Sequence, residues 1–205
     1  MLGEMSWLTR LGFVADSRSP QADGAALLAR VLKGDAGALS LLYRRESGPV
    51  YRYALALCHD EAAALDAMQE AFTQLLQQPQ SFAPERGTLG AYLAGIARHQ
   101  VLARWRDARR FVALSDDDED LADAPQALAP ATDSLLVRAQ NTEALWAALR
   151  RLPWSQREAL VLVDLQERSY AEAAAVAGVS EDVLRTRLHR ARRQLAALLN
   201  EGAAP

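Results

Sequence analysis

Apolar positions recur at helical spacing along most of this chain. In "DEAAALDAMQEAFTQLLQQ", residues 60–78, Leu65, Met68, Phe72, Leu75 and Leu76 fall on one side of a helix turning about 100° per residue, and Asp66, Gln69, Glu70 and Thr73 fall opposite. Toward the C-terminus Leu184, Leu188, Ala191, Leu195 and Leu198 repeat at intervals of four and three, which places them in one narrow inward stripe. Gly34, the pair Gly48 and Pro49, and "QPQSFAPERG" at residues 78–87 punctuate a first helical domain running from 23 to 110. Pro153 and Gly178 divide a second, from 134 to 200, into short helices. Between them "FVALSDDDEDLADAPQALAPATD", residues 111–133, combines like charges with Pro125, Pro130 and many alanines. That composition repels itself and cannot bury a core, so it reads as a flexible acidic linker. Residues 1–22 read as a flexible N-terminal extension. The predicted fold class is all-α, two small helical domains joined by the linker.

Helix starts in the second domain are legible in the polar residues. Ser155 with Glu158, and Ser169 with Glu172, have the Ser-x-x-Glu spacing of capping boxes and predict helices beginning just after each serine. Gly178 then ends a short helix and Ser180 caps the next, with Glu181 and Asp182 suited to its first turn. A short helix, a glycine turn and a longer helix describe a helix-turn-helix.

Composition supports helices, since half of the 205 residues are hydrophobic but only 6% are aromatic. The formal charge of -3 conceals segregation. Basic residues crowd into Arg98 to Arg110 and Arg185 to Arg193, while residues 115–123 hold six acids, an asymmetry that predicts a polyanion contacted at two places. In the last helix Arg185, Thr186, His189, Arg190, Arg192 and Arg193 project away from the apolar stripe, with Arg187 at its border. A recognition helix entering the major groove needs that division, and Arg185 and Arg187 have the reach for guanine edges.

Other classes find little support. The single cysteine, Cys58, permits no intramolecular disulfide, and no segment resembles a secretory signal or a bilayer-spanning run, so a cytoplasmic protein without membrane insertion is expected. Cys58 and His59 are adjacent but lack a third orienting group, and they read as a buried cysteine beside a surface histidine. The acidic run lacks the glycine and terminal glutamate of a calcium loop, and there is no glycine-rich phosphate cradle. A non-enzyme without cofactor or metal is the expectation.

The segment "LPWSQREALVLVDLQERSYAEAAAVAGVSEDVLRTRLHRARRQL", residues 152–195, resembles region 4 of bacterial sigma factors, which binds the minus-thirty-five promoter element. The resemblance rests on "LP" followed by "QRE", on "SYAEAA" and on "RTRLHRAR"; "AAAVAG" departs from it with smaller core residues. "DAMQEAF", within residues 60–78, resembles region 2.2, which implies that Asp66, Gln69, Glu70 and Thr73 contact the beta-prime clamp helices of core RNA polymerase, with the beta flap as a second polymerase contact. "GTLGAYLAGIARHQVLARWRDARR", residues 87–110, resembles regions 2.3 and 2.4, which open the minus-ten element. Carried over, Arg98, Arg104, Arg106, Arg109 and Arg110 follow phosphates, Tyr92 and Trp105 offer faces to separated bases, and His99 and Ala103 lie where bases are read. The family commonly has asparagine at the His99 position and a polar residue near Ala103. With only regions 2 and 4 joined by a linker, the chain resembles an extracytoplasmic-function sigma factor of the sigma-70 family. That implies core polymerase, promoter DNA and an anti-sigma factor as partners.

Two other readings of the same residues remain open at this level. A helix-turn-helix regulator acting by itself would use the first domain for dimerisation and read palindromic sites. A sigma-like protein that binds polymerase but no longer opens promoters is the other, given His99 and Ala103.

Overall fold

The computed structural model describes residues 20–110 and 144–201, with side chains described for 24–106 and 144–200. The expected linker and residues 1–19 of the expected N-terminal extension lie outside the described residues, while residues 20–22, assigned to that extension, instead begin the first helix. The described residues are helical, with no strand among them. α1 (Pro20–Val31), α2 (Ala36–Cys58), α3 (Glu61–Gln77) and α4 (Leu89–Arg110) form the first unit. Helical residues 144–150, here α5, with α6 (Trp154–Leu160), α7 (Tyr170–Ala177) and α8 (Glu181–Glu201), form the second.

Local chemistry explains most boundaries. Asp35 caps α2 by accepting from the Ala38 amide at 3.0 Å, and Asp60 caps α3 through the Ala63 amide at 2.8 Å. Two short 3₁₀ turns, Pro79–Ser81 and Pro84–Arg86, fill the proline-rich stretch before α4. α1 crosses α4 where a Cβ on Gly24 would stand 2.9 Å from the Leu89 Cβ, so only glycine permits that approach.

One expected break is absent, because α2 runs straight through Gly48 and Pro49. A proline inside a helix costs about 3 kcal/mol. Val50, Tyr53, Ala54, Ala56 and Leu57 beyond it are all fully buried, and each large buried side chain returns about 1.5–3 kcal/mol. Tertiary packing overrides the local signal.

One capping box is also absent. α6 begins at Trp154, one residue before Ser155, with Pro153 at the cap position and no side-chain cap bond. Glu158 turns away from the helix start and meets Tyr53 and Arg98 of the first unit. The Ser169 cap forms as expected, its Oγ accepting from the Glu172 amide at 3.2 Å.

After α6 the chain widens into a π-helical turn, Val161–Leu165, closed by the Gln166 amide donating to the Val161 carbonyl at 2.9 Å. Glu167 follows in the left-handed region at φ 53°, and the reversal points Gln166 and Arg168 at the first unit. The two units therefore pack together, α4 against α7 and α2 against α6.

Candidate DNA and polymerase interfaces

The helix-turn-helix is built by α7, α8 and the turn at Gly178, whose φ of 68° is left-handed. Ser180 caps α8, its Oγ accepting from the Val183 amide at 3.4 Å. Leu184, Leu188, Ala191 and Leu195 are buried as the stripe predicts, and Leu198 packs at its end. Ala173, Ala174, Val176 and Ala177 of α7 are buried too, so the small residues of "AAAVAG" do close against α8.

The structure divides the seven residues assigned to the upstream element. Thr186, His189, Arg190 and Arg193 are exposed on the outward arc, and Arg187 stands half-exposed at its border. Arg185 and Arg192 turn aside. Arg185 donates to Glu181 at 3.0 Å and Asp182 at 3.2 Å and lies over the Tyr170 ring, 5.1 Å from its centroid. Arg192 donates through Nε to Asp164 Oδ2 at 2.9 Å and through Nη2 to Oδ1 at 2.5 Å. That bidentate bond to Asp164, ahead of the opposing effect of burial, raises the Arg192 pKa. Arg187, Arg190 and Arg193 form no ion pair with a described residue.

Sequence reasoning missed Val183. It sits beside the Leu184 stripe and is 42% exposed. At helical spacing it shares the outward arc with Thr186, Arg187 and Arg190, next to the N-terminus of the helix.

On α4 the nine residues assigned to the downstream element separate likewise. Tyr92, His99, Ala103 and Arg106 align along one side, where His99, Ala103 and Arg106 are exposed and Tyr92 is half-exposed. The Tyr92 ring leans on Phe82, centroids 5.6 Å apart. His99 Nδ1 lies 2.8 Å from the Gly95 carbonyl, which can only accept, so Nδ1 carries the proton and Nε2 faces outward. Arg98, Arg104 and Trp105 leave this strip: Arg98 reaches Glu158 at 2.6 Å, Arg104 reaches Asp66 at 2.6 Å, and Trp105 is half-buried. The side chains of Arg109 and Arg110 lie outside the described residues.

Asp66, Gln69, Glu70 and Thr73 are all exposed on α3, as the polymerase-binding assignment needs. Asp66 and Arg104 are each other's partner, so the pair joins the polar face of α3 to the basic helix α4. Leu65 and Leu76, predicted to face inward, are instead 43% and 42% exposed beside that polar face, because Ala64, Met68, Ala71, Phe72 and Leu75 fill the core-facing arc without them. The Tyr43 ring lies against Phe72, centroids 4.9 Å apart, and is itself exposed.

Cys58 and His59 also differ from expectation. Cys58 is half-buried and donates to the Asp60 carbonyl at 3.3 Å, and burial pushes its thiol pKa up. His59 is not a surface residue. It caps α2 in the left-handed conformation, half-buried, and burial together with Arg157 and Arg150 lowers its pKa from 6.5 to about 3.

A helix-turn-helix with a cationic outward arc, packed on a helical domain with a second basic helix and an exposed acidic face, has the form of a DNA-binding protein. Comparisons with known proteins refine this. Residues 42–111 match the family Sigma-70 region 2, and residues 142–195 match Sigma-70, region 4. The chain is 34% identical over 191 residues to the ECF RNA polymerase sigma factor BldN of Streptomyces coelicolor, spanning 91% of this chain and 71% of BldN. It is 35% identical over 147 residues to the ECF sigma factor EcfG of Rhodopseudomonas palustris, spanning 72% and 77%. The sigma factor RpoE of Bartonella quintana, solved with the anti-sigma factor NepR, superposes with a TM-score of 0.61 at 26% identity, covering 79% of this chain and 96% of that one. CnrH, solved with the cytosolic domain of CnrY, shares the fold with a TM-score of 0.60 at 24% identity.

The chain belongs to the ECF group of the sigma-70 family and is a sigma factor that directs transcription initiation by RNA polymerase. No described helix is long and apolar enough to cross a membrane.

Proposed function

We propose that α3 docks on core RNA polymerase, that α8 reads the minus-thirty-five element, and that the outward strip of α4 holds the opened minus-ten element, in a non-enzymatic factor acting in the cytoplasm. The observation that carries this is the presence of three exposed faces of suitable chemistry: Gln69, Glu70 and Thr73 with Asp66, the Arg187, Arg190 and Arg193 arc, and the Tyr92, His99 and Arg106 strip. Glu70 and Asp66 supply steering and register toward a basic partner, while Leu65, Leu76 and Tyr43 at the border add apolar area. Val183 is placed to meet a thymine methyl, the apolar group the major groove offers. Arg98, held at the domain seam, joins the DNA contacts only when the domains part. An anti-sigma factor is inferred as a further partner, supported by the RpoE structure, solved with the anti-sigma factor NepR.

The experiment is binding of the purified protein to core polymerase by wild type, Glu70→Lys and Asp66→Asn. Glu70 forms no ion pair with a described residue, so its reversal tests docking alone, whereas Asp66 must first release Arg104. Tight wild-type binding weakened at least tenfold by Glu70→Lys is expected. Binding unaffected by either substitution refutes the α3 assignment, and no wild-type binding refutes the docking reading.

A further inference from the structure

Along the outward side of α4, between Tyr92 and Arg106, few side chains can form a hydrogen bond. Gly95 and Ala103, one turn before and one turn after His99, share its side of the helix and contribute no polar group. Ile96 and Leu102, the flanking residues of those two turns, are buried. Tyr92 ends this line with its ring leaning on Phe82, and Arg106 ends it on the other side with an exposed guanidinium. On the line between them His99 is the one side chain able to make a directional contact with a base.

The helix also fixes what His99 has to offer. Its Nδ1 lies 2.8 Å from the Gly95 carbonyl, an oxygen that only accepts, so Nδ1 donates. In the neutral imidazole Nε2 is then left with a lone pair and no hydrogen. A Cβ on Gly95 would meet nothing within 4 Å, so the space beside the ring is open to an incoming base. His99 therefore presents a lone acceptor on a rigid helix, where an amide side chain would present a donor and an acceptor together.

Such an acceptor sorts the four bases. At the ring position where adenine and cytosine carry an amine, guanine and thymine carry a carbonyl oxygen. The amine donates to Nε2, whereas the carbonyl sets lone pair against lone pair and leaves both acceptors without a partner. Pairing occupies these groups in a duplex, and an unpaired strand frees them to be read. We propose that His99 is a specificity-determining residue for the opened strand, selecting adenine or cytosine at one position through the exocyclic amine and disfavouring thymine and guanine. The proposal rests on the reading that the α4 strip holds the opened minus-ten element. Stacking on Tyr92 and the charge of Arg106 serve any sequence, and His99 adds the discrimination.

The test uses holoenzyme assembled from core RNA polymerase and the full chain, bound to duplexes with a pre-opened segment whose non-template strand is randomised, and the bound strands are sequenced. Wild type is expected to enrich adenine and cytosine over guanine and thymine by about threefold to tenfold at one position, the range of a single hydrogen bond. His99→Ala should flatten that position alone, and His99→Asn, which pairs bidentately with adenine, should restore adenine there but not cytosine. Replacing the selected adenine by purine, or cytosine by pyrimidinone, deletes only the amine and should weaken wild type by the same factor while leaving His99→Ala unchanged. Nitrogen-15 spectra of the neutral His99 ring should show Nδ1 protonated, and the opposite tautomer overturns the proposal. Thymine or guanine enriched at a position that His99→Ala flattens shows the ring donating, which also overturns it. Arg106→Ala separates the two levels of failure. If it weakens binding of every sequence while His99→Ala alters no position, the strip holds DNA and the His99 proposal falls; if neither variant changes binding or preference, the strip reading falls with it.

Discussion

Salt dependence of DNA binding separates the arginines that α8 offers from those it holds. Counting all five arginines of the helix as phosphate contacts gives a slope of log affinity against log salt of about -4.5, at about -0.9 per phosphate. Arg185 and Arg192 already carry carboxylate partners, which leaves Arg187, Arg190 and Arg193 and a slope near -2.7. Between about 50 and 200 mM salt this is roughly a fortyfold loss of affinity instead of about five-hundredfold. Asp164→Asn removes the partner of Arg192 while keeping side-chain shape. It should steepen the slope by about 0.9, making the loss over that range about 3.5 times larger. The pair is half-exposed on the arginine side, so the cost to stability is about 1 kcal/mol or less. Fluorescence anisotropy of a labelled duplex of about two helical turns, titrated at several salt concentrations, reads both slopes. A wild-type slope near -4.5, or one that Asp164→Asn leaves unchanged, refutes the view that Arg192 is withheld.

Val183→Ala should weaken binding to an upstream element by a fewfold, and replacing its thymines by deoxyuracil should weaken wild type but not the variant; equal losses in both would remove Val183 from base reading. His59, with a pKa lowered to about 3, stays neutral in the fold while the unfolded chain protonates near 6.5. The unfolded state therefore binds more protons throughout that interval, so stability falls as pH drops through it, by up to about 1.4 kcal/mol per pH unit from this one group. His59→Asn, which tolerates the left-handed conformation, should flatten the acid limb in chemical denaturation between about pH 6 and 4, and an unchanged limb would contradict it. Gly178→Ala meets open space but keeps φ at 68°, so it should cost about 1 kcal/mol by conformation alone, measured as a lowered midpoint of thermal unfolding.

Much of the fold was legible because helix signals are local. The stripes of α3 and α8, the Ser169 and Ser180 caps and the Gly178 turn each depend on residues within a turn or two of one another. Failures occurred where distant contacts outweighed local preference. Pro49 reads as a break until burial of Tyr53 and its neighbours is counted, and Ser155 with Glu158 reads as a cap until Tyr53 and Arg98 are found across the seam. Leu65 and Leu76 belong to the apolar stripe by angle alone, and only the packing of α2 and α4 against α3 shows that its edge stays exposed.

The site shows the same division. Residue type and helical period by themselves determined that α8 has a cationic side, that α3 carries an acidic one, and that two domains share the chain, because these properties are written into each helix separately. Which arginines are available was decided only by tertiary structure. Arg192 meets a carboxylate 28 positions away, Arg104 one 38 away and Arg98 one 60 away, and no periodicity encodes an ion pair formed across that separation. Charge lies in the sequence, but its compensation is a matter of distance in space, and the fold sets that distance.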